Sequence, residues 1–460
     1  MSFSRRDIRF PAHIHLWKWW FCGLLLLATL LNYMDRLTLN LLGVSMMEQL
    51  SFSKQDYGHI EAGFAVAFAL GAIVMGFAVD RFGVYWVYPL SVLGWSVAGY
   101  LTGYSTDFWS LFTCRVVLGL AESGNWPSAL RATQRLLPPE ERTMGNSILQ
   151  SGAAFGAVLT PAIVQVLVPE SAPESWPAPF FVIGALGLSW VALWFVTVRA
   201  AALGPAEPSA AARAALGLTE HIERAPLPRG LFLRRFAALV ILVITINACW
   251  HFYRAWLPLF LQQEQGYTQS ESNGFFTLYY LAAGIGSWAA GLATLWIVRM
   301  GMPVHRGRLL VFFGFALLAA LGVAAAFVPS GPWLPVLLLL VAVGALGVFP
   351  NYYSFSQELT TTHQGKLTGV LGCSCWLAMA ALHEIVGYFM ASSPSYRPAI
   401  AMVALLPLVG VAALLLLWGK NPLVRSAEAE ENAYPLRAPT ASGVDSRFGV
   451  GAVITIKEGE

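Results

Sequence analysis

Twelve apolar runs follow one another along the chain, near residues 17–47, 58–79, 84–104, 108–136, 143–168, 178–199, 234–262, 273–298, 308–328, 333–357, 367–391 and 396–418. Each is long enough to cross the hydrocarbon core of a bilayer as a helix. Lipid offers no partner to backbone N–H and C=O groups, so a spanning segment must satisfy them itself. Continuous runs therefore predict helices, whereas a barrel would show short alternating segments. Only 12% of the 460 residues are charged and 57% are hydrophobic, against about 25% charged in soluble domains. The expected fold class is an all-α integral membrane protein with twelve transmembrane helices.

Orientation follows from basic residues between the runs. Arg81, Arg131, Arg135, Arg142, the arginines of 199–235, Arg299, Arg306, Arg308 and Lys366 fall in one set of loops, together with both termini. Only Lys54 and Arg397 fall in the other. Both termini are thus expected in the cytoplasm and the chain in the inner membrane. Arg5, Arg6 and Arg9 lead into a run too long for a cleavable signal peptide. The longest connection, 200–233, is rich in Ala and Pro and divides the spans six and six. The expected organisation is a cytoplasmic N-terminus (1–16), a six-helix bundle (17–199), a cytoplasmic loop (200–233), a second six-helix bundle (234–418) and a polar, disordered cytoplasmic tail (419–460). The halves read as weak parallel repeats: MDR then FSKQDYG in the first, FYR then YTQSESNG in the second, and ERTMGNS beside QGKLTGV.

Charged side chains within spans are costly and mark function by default. Asp35 and Arg36 lie midway through the first run. They either neutralise each other and lock the helix, or Arg36 holds a carboxylate through its planar fork while Asp35 takes up a proton. Asn32 and Asn40 stand one turn either side of Arg36. In the fourth run Arg115 and Glu122 are seven residues apart on one face. Glu122, in the apolar context LGLAES, is a candidate proton carrier because desolvation favours the neutral carboxyl; the alternative is a static Arg115–Glu122 pair. Asn125 and Trp126 are candidate cavity residues, and Pro127 is expected to kink the helix. Asn247, His251 and Arg254 form one polar stripe in the seventh run. Asn351, Ser354 and Glu358 form another in the tenth, with Asn351 the cavity candidate and Glu358 at the cytoplasmic end. Tyr279 and Tyr280 are either hydroxyl donors or core. His383 and Glu384, as neighbours, cannot share a face. The five cysteines read as small buried residues. There is no phosphate loop, zinc spacing or Gly-x-Ser-x-Gly, so neither enzyme chemistry, metal, cofactor nor nucleic-acid partner is expected.

GFAVDRFG, with Gly76, Asp80, Arg81 and Gly83, resembles the signature between helices 2 and 3 of the major facilitator superfamily. That resemblance implies two six-helix halves that rock about a central site, with these four residues at the cytoplasmic gate. Val84, Tyr85 and Trp86 stand where the signature continues with basic residues, and GLATLWIVRMG in the second half lacks the Asp. NYMDR, RVVLGLAESGNWPSAL and LPPEERTMGNSILQSGAAFGAVLTP are similar to the anion:cation symporter family, in its bacterial hexuronate-type branch, over about residues 15–420. The resemblance implies Arg36 as substrate anchor, Asp35 and Glu122 as proton-coupling sites and Arg115 as the charge partner of Glu122. Arg254 matches a second anion-binding arginine of vesicular-glutamate-type relatives. Phe68 and Ala153 replace the Tyr and Gln of galactonate-type relatives.

The expected function is proton-coupled symport of an organic anion, a sugar acid such as a hexuronate or hexonate, by a monomer. Arg36, Asn32, Arg254, His251, Asn351, Tyr280 and Trp126 are the expected substrate contacts. The rivals are an exchanger of organic phosphate or dicarboxylate without net proton flow, and a non-transporting anion receptor on the same fold.

Overall fold

The computed structural model describes residues 12–169, 172–198, 203–204, 227–360, 362–392 and 395–419. Its helices are α1 (Ala12–Gln49), α2 (Lys54–Phe82), α3 (Val84–Thr102), α4 in two pieces (Phe108–Glu122 and Asn125–Leu136), α5 (Arg142–Leu167) and α6 (Pro177–Thr197) in the first half. The second half has α7 (Arg229–Gln263), α8 (Gln269–Arg299), α9 in two pieces (Val304–Ala320 and Gly322–Phe327), α10 in two pieces (Trp333–Gly347 and Phe349–Leu359), α11 (Gln364–Ser392) and α12 (Arg397–Leu417). Among the described residues no strand occurs. Ten of these helices are long and apolar enough on their own to span a bilayer. The other two are α3 and α4, which complete the twelve. With 19 residues, α3 rises about 28 Å, and α4 carries charges because it faces the protein interior.

Helix boundaries are written in the side chains. Thr268 and Glu271 close a reciprocal capping box at the start of α8, as do Asp107 and Ser110 at the start of α4. The backbone and side-chain hydrogen bonds from Thr268 hold the Glu271 carboxyl below its ordinary range. Several helices start three to five residues before the apolar pattern predicts, α1 at Ala12 and α7 at Arg229 among them; near the starts of these two, polar residues find tertiary partners. Lys18 pairs with Glu141 at 2.6 Å. Arg234 and Arg235 donate to the Leu416 and Trp418 carbonyls at 3.1 and 2.8 Å, the orphan acceptors of a helix C-terminus. Apart from Leu203, Gly204 and the first residues leading into α7, the expected loop 200–233 lies outside the described residues, as do residues 1–11 and the tail beyond Gly419.

Within the first half α1 packs along α5, α2 along α4 and α3 along α6. In the second, α7 packs along α12, α8 along α10 and α9 along α10 and α12. Two seams join the halves: α2 with α11, and α5 with α8. A shift of six helices turns one seam into the other, as parallel repeats require. Both seams are built on small residues, which let backbones approach where lipid supplies no hydrophobic drive. A Cβ on Gly365 would stand 2.5 Å from the Gly76 carbonyl oxygen, and one on Gly291 would meet Ser147.

Candidate functional site

Arg36 of α1 reaches out of its helix to Glu122 of α4, with Nε donating to Oε2 at 2.5 Å. Its guanidinium carbon lies 4.7 Å from the Phe68 ring centroid, 5.3 Å from Phe64, and 5.7 Å from both Tyr33 and Trp376. Phe64 and Phe68, four apart on α2, form the floor, and Trp376 comes from α11 in the other half. This aromatic box fixes a planar cation by its ring faces and leaves Nη2 buried without a hydrogen-bond partner.

This pairing differs from both local pairings suggested by the chain. Successive side chains on a helix point about 100° apart, so Asp35 turns away from Arg36 toward α3. There a Cβ on Gly99 would stand 2.7 Å from Asp35 Oδ1. Arg115 and Glu122 share a face, but seven residues are about 10.5 Å of rise. Glu122 takes Arg36 instead. Arg115 is 2% exposed, with Nε and Nη2 unpartnered and its guanidinium 5.8 Å from the Phe180 ring. Asp35, Glu122 and a third carboxylate, Glu61 of α2, all act on it electrostatically.

The facing wall comes from the second half. The His251 ring centroid is 6.0 Å from Trp376, the indole that Arg36 also approaches. Arg254, half-buried, is within electrostatic reach of Tyr33 on α1 and Tyr280 on α8. Tyr280 packs edge-on against Trp250 at 6.0 Å. Asn247 is spent on its own helix, donating to the Val243 carbonyl at 2.7 Å. Trp126 stacks on Tyr353 at 5.1 Å, and Tyr353 donates to Gln150 at 2.7 Å. Asn125, in contrast, is tied within the first half by Tyr88 and Thr29. Ala153 has no polar atom to offer, but Gln150 stands one turn from it on α5. The side chains of His383 and Glu384 lie outside the described residues.

Two broken helices meet at this level. α4 breaks after Glu122, just before Pro127, and α10 breaks at Val348, just before Pro350. A proline removes one helical donor and clashes with the preceding turn, so GNWP and GVFP interrupt matching helices of the two halves. Asn351 follows the second break; its Oδ1 accepts from Thr294 at 3.3 Å. Its Nδ2, both amide atoms of Asn32, Asp35 Oδ1 and Glu122 Oε1 are buried without hydrogen-bond partners. Each such group costs about 1–3 kcal/mol when dry. Four of these atoms belong to Asn32, Asp35 and Glu122, beside the unpartnered nitrogens of Arg36 and Arg115, and that grouping of charged and amide side chains suits a polar, charged guest.

At the arginine-rich end the halves are latched. Asp80 accepts from the Gly365 N–H at 2.9 Å and the Lys366 N–H at 2.8 Å, capping α11 across the seam. Gly83 adopts φ 81° between α2 and α3, a conformation that favours glycine, and Arg81 is exposed beside it. Gln134 donates to the Gln357 and Thr360 carbonyls, and Gln357 returns a bond to Leu130. Asn146 and Thr143 both meet Ser354. Arg308, expected as an orientation-setting loop residue, is instead 1% exposed. It binds Glu358, the Pro139 carbonyl and Thr143, while His305 meets Glu358 from outside at 3.0 Å. Arg308→Ala is expected to loosen this end, because breaking one side of a buried ion pair costs about 3–5 kcal/mol. In a variant lacking the five native cysteines, labelling of a Ser354→Cys thiol from the arginine-rich side should rise about tenfold, the effect of about 1.4 kcal/mol. An unchanged rate would show that Arg308 is no latch.

The chain is 24% identical over 441 residues to the hexuronate transporter of Escherichia coli (strain K12), spanning 90% of this chain and 97% of that protein. It is 25% identical over 411 residues to the D-galactonate transporter of Escherichia coli O6:H1, spanning 86% and 94%. Among solved structures, the crystal structure of a Major Facilitator Superfamily transporter, FucP, in the outward conformation matches with a TM-score of 0.64 at 15% identity, covering 86% of this chain and 97% of that one. The family described as the Major Facilitator Superfamily matches residues 25–383, and the chain belongs to that superfamily of transporters.

Proposed function

We propose that the protein is a proton-coupled symporter of an organic anion, a sugar acid of the hexuronate or hexonate type, working as a monomer in the inner membrane. Both termini and the arginine-rich end face the cytoplasm in this reading, which makes the latched structure an outward-facing state. One observation carries the proposal: Arg36 is held by a carboxylate that it must release before it can bind another. A substrate carboxylate that takes Arg36 leaves Glu122 buried and unpaired, and an unpaired buried carboxylate takes up a proton. Asp35 stands in the same apolar setting next to Arg115. Anion and proton binding are then linked, and the pair together differ in affinity between the two faces, as alternating access needs. Asn32, Tyr280, His251 and Asn351 supply polar atoms for hydroxyls, and Trp126 a ring face. The names of the hexuronate and D-galactonate relatives support the substrate class.

The presence of Arg254, facing Tyr33 on the same space as Arg36, favours one alternative: an exchanger of dicarboxylate or organic phosphate held by two guanidinium groups. Uptake by proteoliposomes, tested with labelled hexuronates, hexonates, dicarboxylates and sugar phosphates, separates the two. Accumulation of a sugar acid that needs an inward proton gradient supports symport. Exchange indifferent to the gradient replaces it with the exchanger.

A further inference from the structure

Neither the proton carriers nor the anion anchor account for Glu61. It lies on α2 and is partly buried. Tyr57, Glu61, Phe64 and Phe68 are spaced four, three and four, so they form one stripe of that helix. Tyr57 donates to Asn40 of α1 at 3.2 Å, and Phe64 and Phe68 underlie Arg36. Glu61 therefore sits between these contacts. α2 and α4 are pressed together at this level: a Cβ on Gly119 would stand 2.6 Å from the Phe64 carbonyl oxygen, and one on Gly63 would stand 2.6 Å from the Phe112 ring. Arg115 projects from α4 between Phe112 and Gly119. Its guanidinium is almost fully buried, and two of its three nitrogens lack a hydrogen bond. Glu61, on the stretch of α2 that faces Arg115, acts on it electrostatically, as do Glu122 and Asp35.

The remaining charged neighbours are few. α4 contributes Arg115 and Glu122, and α1 contributes Asp35 and Arg36. α3 has no charged residue, and α11 presents the uncharged Trp376 here. On α2 itself, Tyr57 also acts on Glu61 and Arg115, while His59 is exposed two residues before Glu61, on the opposite side of the helix.

We propose that Glu61 is the resident counter-ion of Arg115, a positioning residue that lets Asp35 and Glu122 give up their charge to protons without stranding a buried guanidinium. This rests on the symport reading above. If Arg115 had only Asp35 and Glu122 as partners, protonating them would leave it unpaired in a low-dielectric interior, so the protein would resist loading. A third carboxylate that keeps its charge removes that resistance. Glu61 is partly buried and lies nearer the start of α2 than Phe64 and Phe68, the floor of the Arg36 box.

The test is the pH profile of D-glucuronate uptake by whole-length protein in proteoliposomes, wild type against Glu61→Gln. Removing the resident anion makes the carriers hold protons less readily, so the pH of half-maximal uptake is expected to fall by about one unit, the lower end of what an adjacent charge does. Glu61→Asp should restore the wild-type midpoint. Counterflow at a pH low enough to load both carriers should survive in Glu61→Gln within a few-fold. Glu61→Ser, measured identically, replaces Glu61→Gln if the latter does not fold. A midpoint that stays put while only the amplitude drops overturns the proposal and makes Glu61 a packing residue. A wild-type protein with no pH dependence overturns the symport reading and this inference with it. A shifted midpoint in both neutral variants with rescue by Asp supports it.

Discussion

Arg36→Ala is expected to reduce anion uptake to the level of protein-free vesicles. Truncating one partner of a buried, hydrogen-bonded charge pair costs about 2–5 kcal/mol, a factor of roughly 30 to several thousand. The aromatic box makes the loss harder to compensate: Tyr33, Phe64, Phe68 and Trp376 are shaped around a flat cation and offer no other charge. The same change leaves Glu122 buried without its partner, so lost uptake alone would not distinguish a missing anchor from a damaged protein. The Arg36→Gln, Glu122→Gln double variant makes that distinction. It keeps a hydrogen-bonding pair of similar size and removes both charges. It should purify as a monodisperse peak with near wild-type melting, yet transport nothing. Arg36→Lys keeps the charge but not the fork, and a point charge cannot lie flat among four rings; uptake there should fall by roughly tenfold or more. Wild-type uptake by Arg36→Ala would end the assignment of Arg36 as anchor.

The spans were legible because bilayer thickness imposes a length that apolar runs must meet. The break in α4 was legible too, since Pro127 carries its own sterics; the matching break in α10, just before Pro350, was not expected. Charge pairing was not. Asp35 beside Arg36, and Arg115 seven before Glu122, invite pairing within one helix. The actual partner of Glu122 is 86 residues away, chosen by the register of α1 against α4. Nothing periodic in either helix encodes that register; Gly99 and Gly152 let α3 and α5 approach α1, and Gly119 lets α4 approach α2. Arg308 was misread for a related reason. A basic residue at the mouth of a span looks like an orientation signal, and only the folded seam shows that Thr143, Pro139 and Glu358 enclose it. Glu61 stands two residues after His59 and five after Asp56, so it reads as part of a solvated helix start. Its neighbour Arg115 comes from another helix.

The two ends of the site are tied to the same helices. Trp376 completes the Arg36 box from α11, and α11 begins at the backbone amides that Asp80 caps. Trp126 meets Tyr353 at the centre, and the next turn of α10 carries Gln357, which bonds back to α4. A guest that displaces Glu122 or moves Trp376 therefore acts on elements that also hold the latch. That is the physical requirement for binding at the middle to bias the closure at one end.

Glu122→Gln is the variant that separates binding from driving force. Glu122 is fully buried, with one oxygen on Arg36 and the other unpartnered. In the proposed cycle its proton arrives when the substrate carboxylate takes Arg36, and leaves when the site empties toward the cytoplasm. Glutamine fills the same space and can still accept a bond from Arg36, but it neither holds nor releases a proton at that atom. The anion should still bind, and counterflow between equal pH compartments should remain within a few-fold of wild type. Accumulation should change far more. One coupled proton moving down one pH unit supplies about 1.4 kcal/mol, a tenfold concentration ratio; each proton lost from the cycle removes that factor. If Glu122 carries one of two coupled protons, the variant's accumulation ratio falls by that factor; if it is the sole carrier, the variant stops at equal concentrations under a gradient that makes the wild type accumulate. If it continues to accumulate to the wild-type ratio, Asp35 carries the coupling alone, and the Arg36–Glu122 pair serves to hold the empty site together.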